Sequence, residues 1–375
     1  MKKAVIIGGG FAGLSAAKRF FAQKGALSVT LIDRKPTFDF LPALPDIIGR
    51  NIAPAYLKAD IKAISRRLGF DFINEEVIGV DLAQNKVNTV SSGVYYDYLL
   101  ISSGSQTNFY GNAAIEKNAY LLDRVDDAAK IARAVKENGF TDFVVCGGGY
   151  TGIELATNLK KLLNRLWRTD KVVIVERQPD ILGPLPQWMK DYARDNLRRL
   201  DIEILAATTV EHINGREIML SGGRGFDNAM LIWAAGVKSG DFIRKMDLEK
   251  NPQGRLKVDE YLRINRNCYA AGDAALFSYR GGTLRMAVQF SIMEGLIAAV
   301  NILRDARGMK PAAYLPVDLG YVIPMANDLS CGSILGMDLK GRIPTALHYF
   351  MCLYRSYGWN NKAGFAKDLL RGGGR

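Results

Sequence analysis

The sequence predicts an α/β fold with two parallel sheets, and three observations carry that prediction. The opening stretch MKKAVIIGGGFAGLSAA returns in altered form as FVVCGGGYTGIELA at residues 143–156. In each copy a short β-branched apolar run, residues 4–7 and 143–146, feeds three glycines and then an amphipathic segment, the pattern of strand, tight turn and helix. Each copy is followed by a second apolar run that ends on an acid. SVTLID closes on Asp33 and KVVIVE on Glu176, 20 and 24 residues past the third glycine. Three further runs, YLLISSG, LIWAAG and YAAGD, stop abruptly on small residues, and a strand that ends this way lets a ligand pack against its backbone.

The glycines have separate physical tasks. Gly8 and Gly147 permit the turn off the strand, Gly10 and Gly149 lack a side chain so that a pyrophosphate can reach the backbone, and Gly13 and Gly152 let the helix close on its strand. The first amides of the helix and the partial positive charge of its N-terminus then hold the anion. Asp33 and Glu176 are suited to accept hydrogen bonds from ribose hydroxyls and to repel a 2′-phosphate. Arg177, next to Glu176, leaves that second point open, because an arginine there could receive such a phosphate. Two Rossmann-like dinucleotide sites are implied. The competing reading of the opening, a secretory signal, is disfavoured because three successive glycines interrupt the apolar run after four residues and cleavage would remove the fingerprint.

Composition sets the remaining bounds. A chain of 375 residues, 48% hydrophobic and 23% charged, has room for two or three compact units. The cysteines Cys146, Cys268, Cys331 and Cys352 form no C-x-x-C pair and read as buried reduced thiols. With only His212 and His348 present, histidine metal sites and triad chemistry are poorly supplied, and no metal site is expected. From Lys340 onward seven basic residues (Lys340, Arg342, Arg355, Lys362, Lys367, Arg371, Arg375) face one acid, Asp368, which leaves +6 of the net +12 in the last tenth of the chain. Such a basic, aromatic tail suits a polyanionic surface. Its patterning favours lipid over nucleic acid, and no run reaches the roughly 18 apolar residues needed to span a bilayer.

In chain order, RKPTFDFLPALPDIIG after Asp33 reads as an ordered, non-regular wall rather than a helix, because of its three prolines. Residues 70–90 read as a β-meander, 98–101 as a strand, and 126–138 as a helix ended by Gly139. A charged helix is expected over 187–200, and buried strands in AMLIWAAGV and before Gly272-Asp273. Asp273 could accept from a chain of sugar-alcohol hydroxyls or simply cap the next helix. RMAVQFSIMEGLIAAVNIL is an amphipathic helix. PTALHYFMCLYRSYGW is about a dozen helical residues, short enough to be interfacial or docking rather than spanning.

These landmarks, in this order, resemble the two-dinucleotide-binding-domain flavoproteins, and most specifically the type II NADH dehydrogenase (NADH:quinone oxidoreductase) family, over essentially the whole chain. The resemblance rests on GGGFAG with Asp33, YDYLLISSGS, GGGYTGIELA with Glu176, LIWAAGV and YAAGDAA. It implies FAD at the first turn, with Gly8, Gly10, Phe11, Ala12, Gly13, Asp33, Arg34, Val77, Ser103, Gly104, Gly272 and Asp273 around it. It implies NADH at the second, with Gly147, Gly149, Tyr150, Thr151, Gly152, Glu176, Ala235 and Gly236. A discontinuous FAD domain (1–110 and 251–320), an NADH domain (111–250) and a membrane-facing amphipathic tail (321–375) are then expected.

Glu154 matches the family's acid near flavin and nicotinamide, where a carboxylate could serve proton or charge transfer. Gln289 matches the first glutamine of the A-Q-x-A-x-Q-x-G quinone helix, whereas Met293 stands where the second is usual. The resemblance implies a non-pumping enzyme, peripheral on the cytoplasmic face of the membrane, that passes electrons from NADH to a quinone. It leaves a homodimer open and expects no nucleic acid.

In flavoprotein disulfide reductases the stretch after the first acid carries redox cysteines. Here it carries none, so a dithiol relay is excluded on residue supply. Two rivals remain. One keeps the fold with another acceptor or donor, namely ferredoxin or rubredoxin, oxygen or sulfide. The other is an NADH-sensing flavoprotein that acts through a partner.

Overall fold

The computed structural model describes residues 1–372 except Lys24, so Arg375 of the basic tail lies outside the described residues. The chain divides into two units.

The first unit comprises residues 1–38, 59–106 and 237–318. Its centre is a five-stranded sheet in the order Cys268–Ala270, Tyr98–Ile101, Lys3–Ile7, Ser28–Ile32, Asp71–Ile73, and every pairing is parallel. The chain leaves Lys3–Ile7 in one direction, through Ser28–Ile32 to Asp71–Ile73, and returns to its other side at Tyr98–Ile101. Strand order therefore reverses at the carboxyl end of Lys3–Ile7, the switch point where open α/β sheets bind ligands. Val5, Ile6, Leu31, Leu99 and Leu100 are fully buried, as strands covered on both faces require. The helix Phe11–Phe21 packs on Val288–Ala306, and a Cβ on Gly295 would stand 2.1 Å from the Ala12 carbonyl oxygen. That glycine sets how closely the two helices approach.

The second unit comprises residues 39–58, 107–236 and 319–375. Its four-stranded parallel sheet runs Ile202–Leu205, Lys171–Val175, Asp142–Cys146, Ala229–Trp233. An antiparallel ribbon, Val210–Asn214, Glu217–Leu220 and Gly225–Phe226, packs Val210, Ile213, Ile218, Leu220 and Phe226 against Val144, Val173 and Leu231 of that sheet. A second antiparallel sheet, Gly320–Ile323, Ser330–Ile334, Met337–Gly341, leads into the helices Arg342–Arg355 and Trp359–Gly372.

Two expectations are revised. Residues 44–49, read as non-regular, form a short helix, Leu44–Gly49, with a proline in its first turn, where the missing amide costs nothing. Of the meander, Asp71–Ile73 joins the parallel sheet, and only Val77–Asp81, Lys86–Thr89 and Gly93–Tyr95 pair antiparallel. By compactness, residues 237–250 group with the first unit and 39–58 with the second.

Residues 319–375 group with the second unit and hold a second helix, Trp359–Gly372. That helix is anchored by Phe365, whose burial is worth about 2–3 kcal/mol, and by the Ala53 amide donating to Asp368. Its close approach needs Gly364, where a Cβ would strike the Tyr56 ring at 2.2 Å. Ile343, Phe350, Tyr354, Trp359 and Leu370 keep their apolar surface exposed. Among the described residues no helix is long and apolar enough to cross a membrane.

Candidate functional site

The first glycine turn is closed by sterics. Gly8 has φ +102°, and a Cβ on it would stand 2.3 Å from the Ser102 carbonyl oxygen. A Cβ on Gly13 would stand 1.9 Å from the Gly8 carbonyl oxygen. Above Gly10, by contrast, there is open space, and no side chain caps the helix that starts there. One Asp33 oxygen accepts from the Gly9 amide (2.7 Å) and the other from Lys35 (2.8 Å), so the acid braces the turn itself.

Around this turn the first unit supplies polar groups that suit a large polar ligand. Ser103 Oγ is buried with no partner, and Gly104 has φ +69° with nothing near its missing side chain. The Asp273 carboxylate accepts from Ser105 Oγ (2.7 Å), and burial raises its pKa, against the Ser105 bond and the Arg255 charge. The Gly272 amide donates to Glu294 Oε2 (2.6 Å), and burial pushes the Glu294 carboxyl up to about 8. Phe11 meets Phe38 edge-on at 5.0 Å, and Ala12 is buried against Gly295. Arg34 is ion-paired with Glu76 at 3.4 Å, and Val77 opens the antiparallel strand Val77–Asp81.

The second turn repeats the first almost atom for atom. Gly147 has φ +116° and would place a Cβ 2.6 Å from the Ala234 carbonyl oxygen. A Cβ on Gly152 would stand 1.8 Å from the Gly147 carbonyl oxygen, while Gly149 is open and the helix uncapped by any side chain. Glu176 braces the turn through the Gly148 amide (2.6 Å) and binds the Gln178 amide (2.7 Å) with its other oxygen. Thr151 is exposed, and Tyr150 meets Tyr321 edge-on at 5.9 Å. Past Ala235, Gly236 has φ +110° and stands under the Tyr110 hydroxyl, 2.4 Å from where a Cβ would be. Arg177 stacks over the same Tyr110 ring at 5.8 Å, a contact between residues 67 apart that no local pattern announces.

The two residues singled out for chemistry lie in different units. Gln289, in the first turn of Val288–Ala306, donates to Asp318 (3.0 Å), which also pairs with Arg285. Glu154, half-buried on Tyr150–Arg165, belongs to a cluster that sequence reasoning missed, in which Asp46 is buried and His348 half-buried. Acceptor atoms of Asp46, Glu154 and His348 lie within 4.8 Å of one another. Asp46 Oδ1 accepts from the Tyr349 hydroxyl (2.7 Å) and lies 3.3 Å from Arg50 Nε. Asp46 Oδ2 and Glu154 Oε1 are enclosed without a hydrogen-bond partner. Asp46 and Arg50 stand four apart in sequence, a helical ion-pair spacing visible once 44–49 is read as helix. Tyr349, 303 residues from Asp46, carried no such signal.

The four cysteines are all free and buried, as expected. Burial pushes the thiols of Cys146 and Cys331 up to about 12, which leaves neither as a thiolate nucleophile near neutral pH.

Known proteins compare along the same lines. The chain is 27% identical to demethylphylloquinone reductase NdbB of Synechocystis sp., over 95% of its own length and 93% of that protein's. It is 25% identical to the type II NADH:quinone oxidoreductase of Staphylococcus haemolyticus, over 91% and 92% respectively. It spans about half the length of the plant and yeast mitochondrial NAD(P)H- or NADH-ubiquinone oxidoreductases it matches. In fold it superposes on NDH2 from Plasmodium falciparum, solved in complex with NADH, with a TM-score of 0.87 at 18% identity, covering 99% of this chain and 98% of that one. Residues 2–296 match the family model described as pyridine nucleotide-disulphide oxidoreductase, and with both glycine turns, their acids and the doubly wound sheet in place, the chain belongs to that family.

Proposed function

We propose that this chain is a peripheral membrane flavoenzyme, on the cytoplasmic face of the cell membrane, that takes a hydride from NADH onto FAD and delivers two electrons to a quinone. The observation that carries the reading is the duplication of an open, braced glycine turn in a chain with no cysteine pair. Two dinucleotides can be held, and electrons cannot leave through a dithiol. The names of the relatives, which act on quinones, point the same way.

When bound, FAD supplies the two-electron redox chemistry; the chain's residues bind, orient and exclude. In this proposal Gly8, Gly10, Phe11, Ala12 and Gly13 hold the FAD pyrophosphate and Asp33 takes the adenosine ribose, flanked by Arg34 and Val77. Ser103, whose hydroxyl is buried without a protein partner, and Gly104 complete the phosphate cradle, and Gly272 and Asp273 take the ribityl chain. Gly147, Gly149, Tyr150, Thr151 and Gly152 hold NADH, Glu176 takes its ribose, and Ala235 and Gly236 stand beside the nicotinamide end. Arg177, beside Glu176, stacks on Tyr110, and comparing NADH with NADPH as donor decides whether it receives a 2′-phosphate. Glu154 is the acid available to proton transfer, and Gln289 belongs to the quinone site. The exposed apolar side chains of the last two helices, interleaved with basic residues, serve the anionic membrane surface.

A second reading, the same flavoenzyme with another acceptor, draws on Met293 standing where the resemblance expects a glutamine. The sulfide version loses support, because Cys331 is fully buried. The direct test is the visible spectrum of the purified protein: a flavin band bleached by NADH and restored by a quinone analogue. A coloured protein that no quinone reoxidises would overturn the acceptor, and a colourless protein that cannot be reconstituted with flavin would overturn the whole.

A further inference from the structure

We infer that the second unit carries a binding site for a small amphiphilic anion, one carboxylate or phosphate head on an apolar body, in the cavity lined by Lys161, Arg165 and Trp167. The site stands whether or not a quinone is the electron acceptor.

The cavity lies along the C-terminal half of Tyr150–Arg165 and measures about 650 Å³, inside the range of roughly 300–1,000 Å³ usual for small-molecule sites. Leu200 and Ala326 supply apolar wall. Two of the polar lining residues are already committed. The Thr157 hydroxyl donates to the Glu154 carbonyl (2.9 Å) and accepts from the Ala326 amide (3.1 Å), and Asn327 exchanges hydrogen bonds with Asn196 (2.7 and 3.2 Å). Capacity for a ligand therefore rests with the cations.

Two cations and no acid line the cavity. Lys161 Nζ donates to the Ala326 carbonyl (3.3 Å), and Arg165 Nη2 to the carbonyls of Ile48 (3.3 Å) and Gly49 (2.6 Å). Among the described residues neither has a carboxylate at ion-pair distance, because the acids next to the lining residues are taken: Asp201 by Lys160 (3.1 Å) and Asp328 by Arg50. Burial lowers the pKa of both side chains; for Lys161 the charges of Arg50 and Arg165 add to it, against Asp328 and Asp46. An ammonium has three N–H donors, so one bond to a carbonyl leaves Lys161 two for an anionic head.

Trp167 points to the ligand's other end. Its side chain is 95% exposed, yet its backbone sits at φ +56°. The Trp167 amide bonds the Asn164 carbonyl (3.1 Å) and the Arg168 amide the Leu163 carbonyl (3.0 Å), the helix-ending pattern whose left-handed position favours glycine. Folding gains little from an indole there. Glycine would close the same turn without the Cβ clash, and the ring leaves nearly all its surface in water. Held at the edge of a cationic cavity, the ring offers an apolar face to a ligand instead. A bare inorganic anion would leave Trp167 and Leu200 unused, and an uncharged apolar molecule would leave the two cations uncompensated.

Calorimetric titration of the purified full-length protein with decanoate, kept below its micelle concentration, tests the site. Decanoate and decyl phosphate should each bind at one site, with acetate and decanol weaker by about tenfold or more, since each lacks one half of the ligand. Lys161→Gln should lose a similar factor and Lys161→Arg should recover it. Trp167→Gly should lose affinity as well, while its melting temperature stays at or above the parent's, because glycine suits the turn. That pairing separates a recognition residue from a structural one, and it holds the test open should Lys161→Gln not fold. No binding of decanoate, decanol binding as tightly as decanoate, affinity unchanged in both Lys161→Gln and Trp167→Gly, or a lower melting temperature in Trp167→Gly would each overturn the site. An anionic head on an apolar body reaches a protein either dissolved or from a bilayer. Phosphatidylglycerol vesicles that displace decanoate more than pure phosphatidylcholine vesicles assign the bilayer; equal displacement assigns the dissolved molecule.

Discussion

The two glycine turns differ in one place that matters. Gly8 and Gly147, Gly13 and Gly152, and Asp33 and Glu176 meet the same neighbours at nearly the same distances. Two residues after the third glycine the copies part. In the first unit that position is Ser15, whose hydroxyl donates to the Ile292 carbonyl (2.8 Å) and is done. In the second it is Glu154, whose enclosed Oε1 has no partner and whose carboxylate has an oxygen within 4.8 Å of one of Asp46. The repeated part of a fingerprint therefore describes a cradle. The unrepeated, energetically expensive residue within the same helix turn marks where chemistry is to be sought.

The comparison is broken most severely at the third glycines. Gly13→Ala and Gly152→Ala each drive a Cβ into a backbone oxygen under 2 Å away, and neither strand end nor helix can yield without opening the turn. Gly13→Ala is expected to purify without flavin. Gly152→Ala is expected to keep its colour yet fail to bleach with NADH at concentrations that reduce the parent. Visible absorbance with and without NADH separates the two, and a Gly152→Ala protein that loses its flavin would show that the cradles do not serve separate ligands.

Next in size is Glu154→Gln. A positioned acid or base is worth about 10²–10⁴ in rate, so quinone reduction in single-turnover mixing should slow by at least the lower figure while flavin content stays whole. Turnover equal to the parent's would return Glu154 to a packing role.

Much of this was legible in the sequence and some was not, for identifiable reasons. Glycine turns, their acids and the strands ending at Ile101, Trp233 and Ala270 announce themselves through local constraints of φ, close approach and apolar runs. The helix Leu44–Gly49 was hidden because prolines normally argue against helix, yet a proline in the first turn is tolerated. Its concealment hid Asp46 and Arg50 as partners of Glu154. Tyr349 was beyond reach, since it meets Asp46 only through tertiary packing. The second tail helix was missed because only Gly364 and Phe365 of it are buried, too little to leave an apolar stripe.

Glu294 sharpens the comparison from the other side, as the buried acid of the first unit whose oxygen is satisfied by the Gly272 amide. Its carboxyl is raised from 4.5 to about 8 by burial. Between those values the folded chain holds a proton that the unfolded chain has lost, so this residue's contribution to stability falls as pH rises through the window. Glu294→Gln removes the titration while keeping an acceptor for the amide. Its stability relative to the parent should improve steadily from pH 5 to pH 8, reaching on the order of 1–3 kcal/mol. Thermal unfolding at several pH values reads it, and a difference that does not change with pH would mean that the carboxyl is ionised in the folded protein.

The smallest effect is expected at Ser15→Ala, and it is the control that gives the Glu154 result its meaning. The Ile292 carbonyl lies inside the helix Val288–Ala306, so its ladder bond to the residue four positions on survives the loss of the serine hydroxyl. What is removed is a second hydrogen bond to an already satisfied acceptor, worth about 0.5–1 kcal/mol. The vacated space is one oxygen wide at a half-buried position. Melting should drop by a degree or two at most, with flavin content and both half-reactions unchanged. Turnover lost in Ser15→Ala to the extent seen in Glu154→Gln would mean that this helix position matters for how the turn is braced, and the chemical distinction between the two copies would fall.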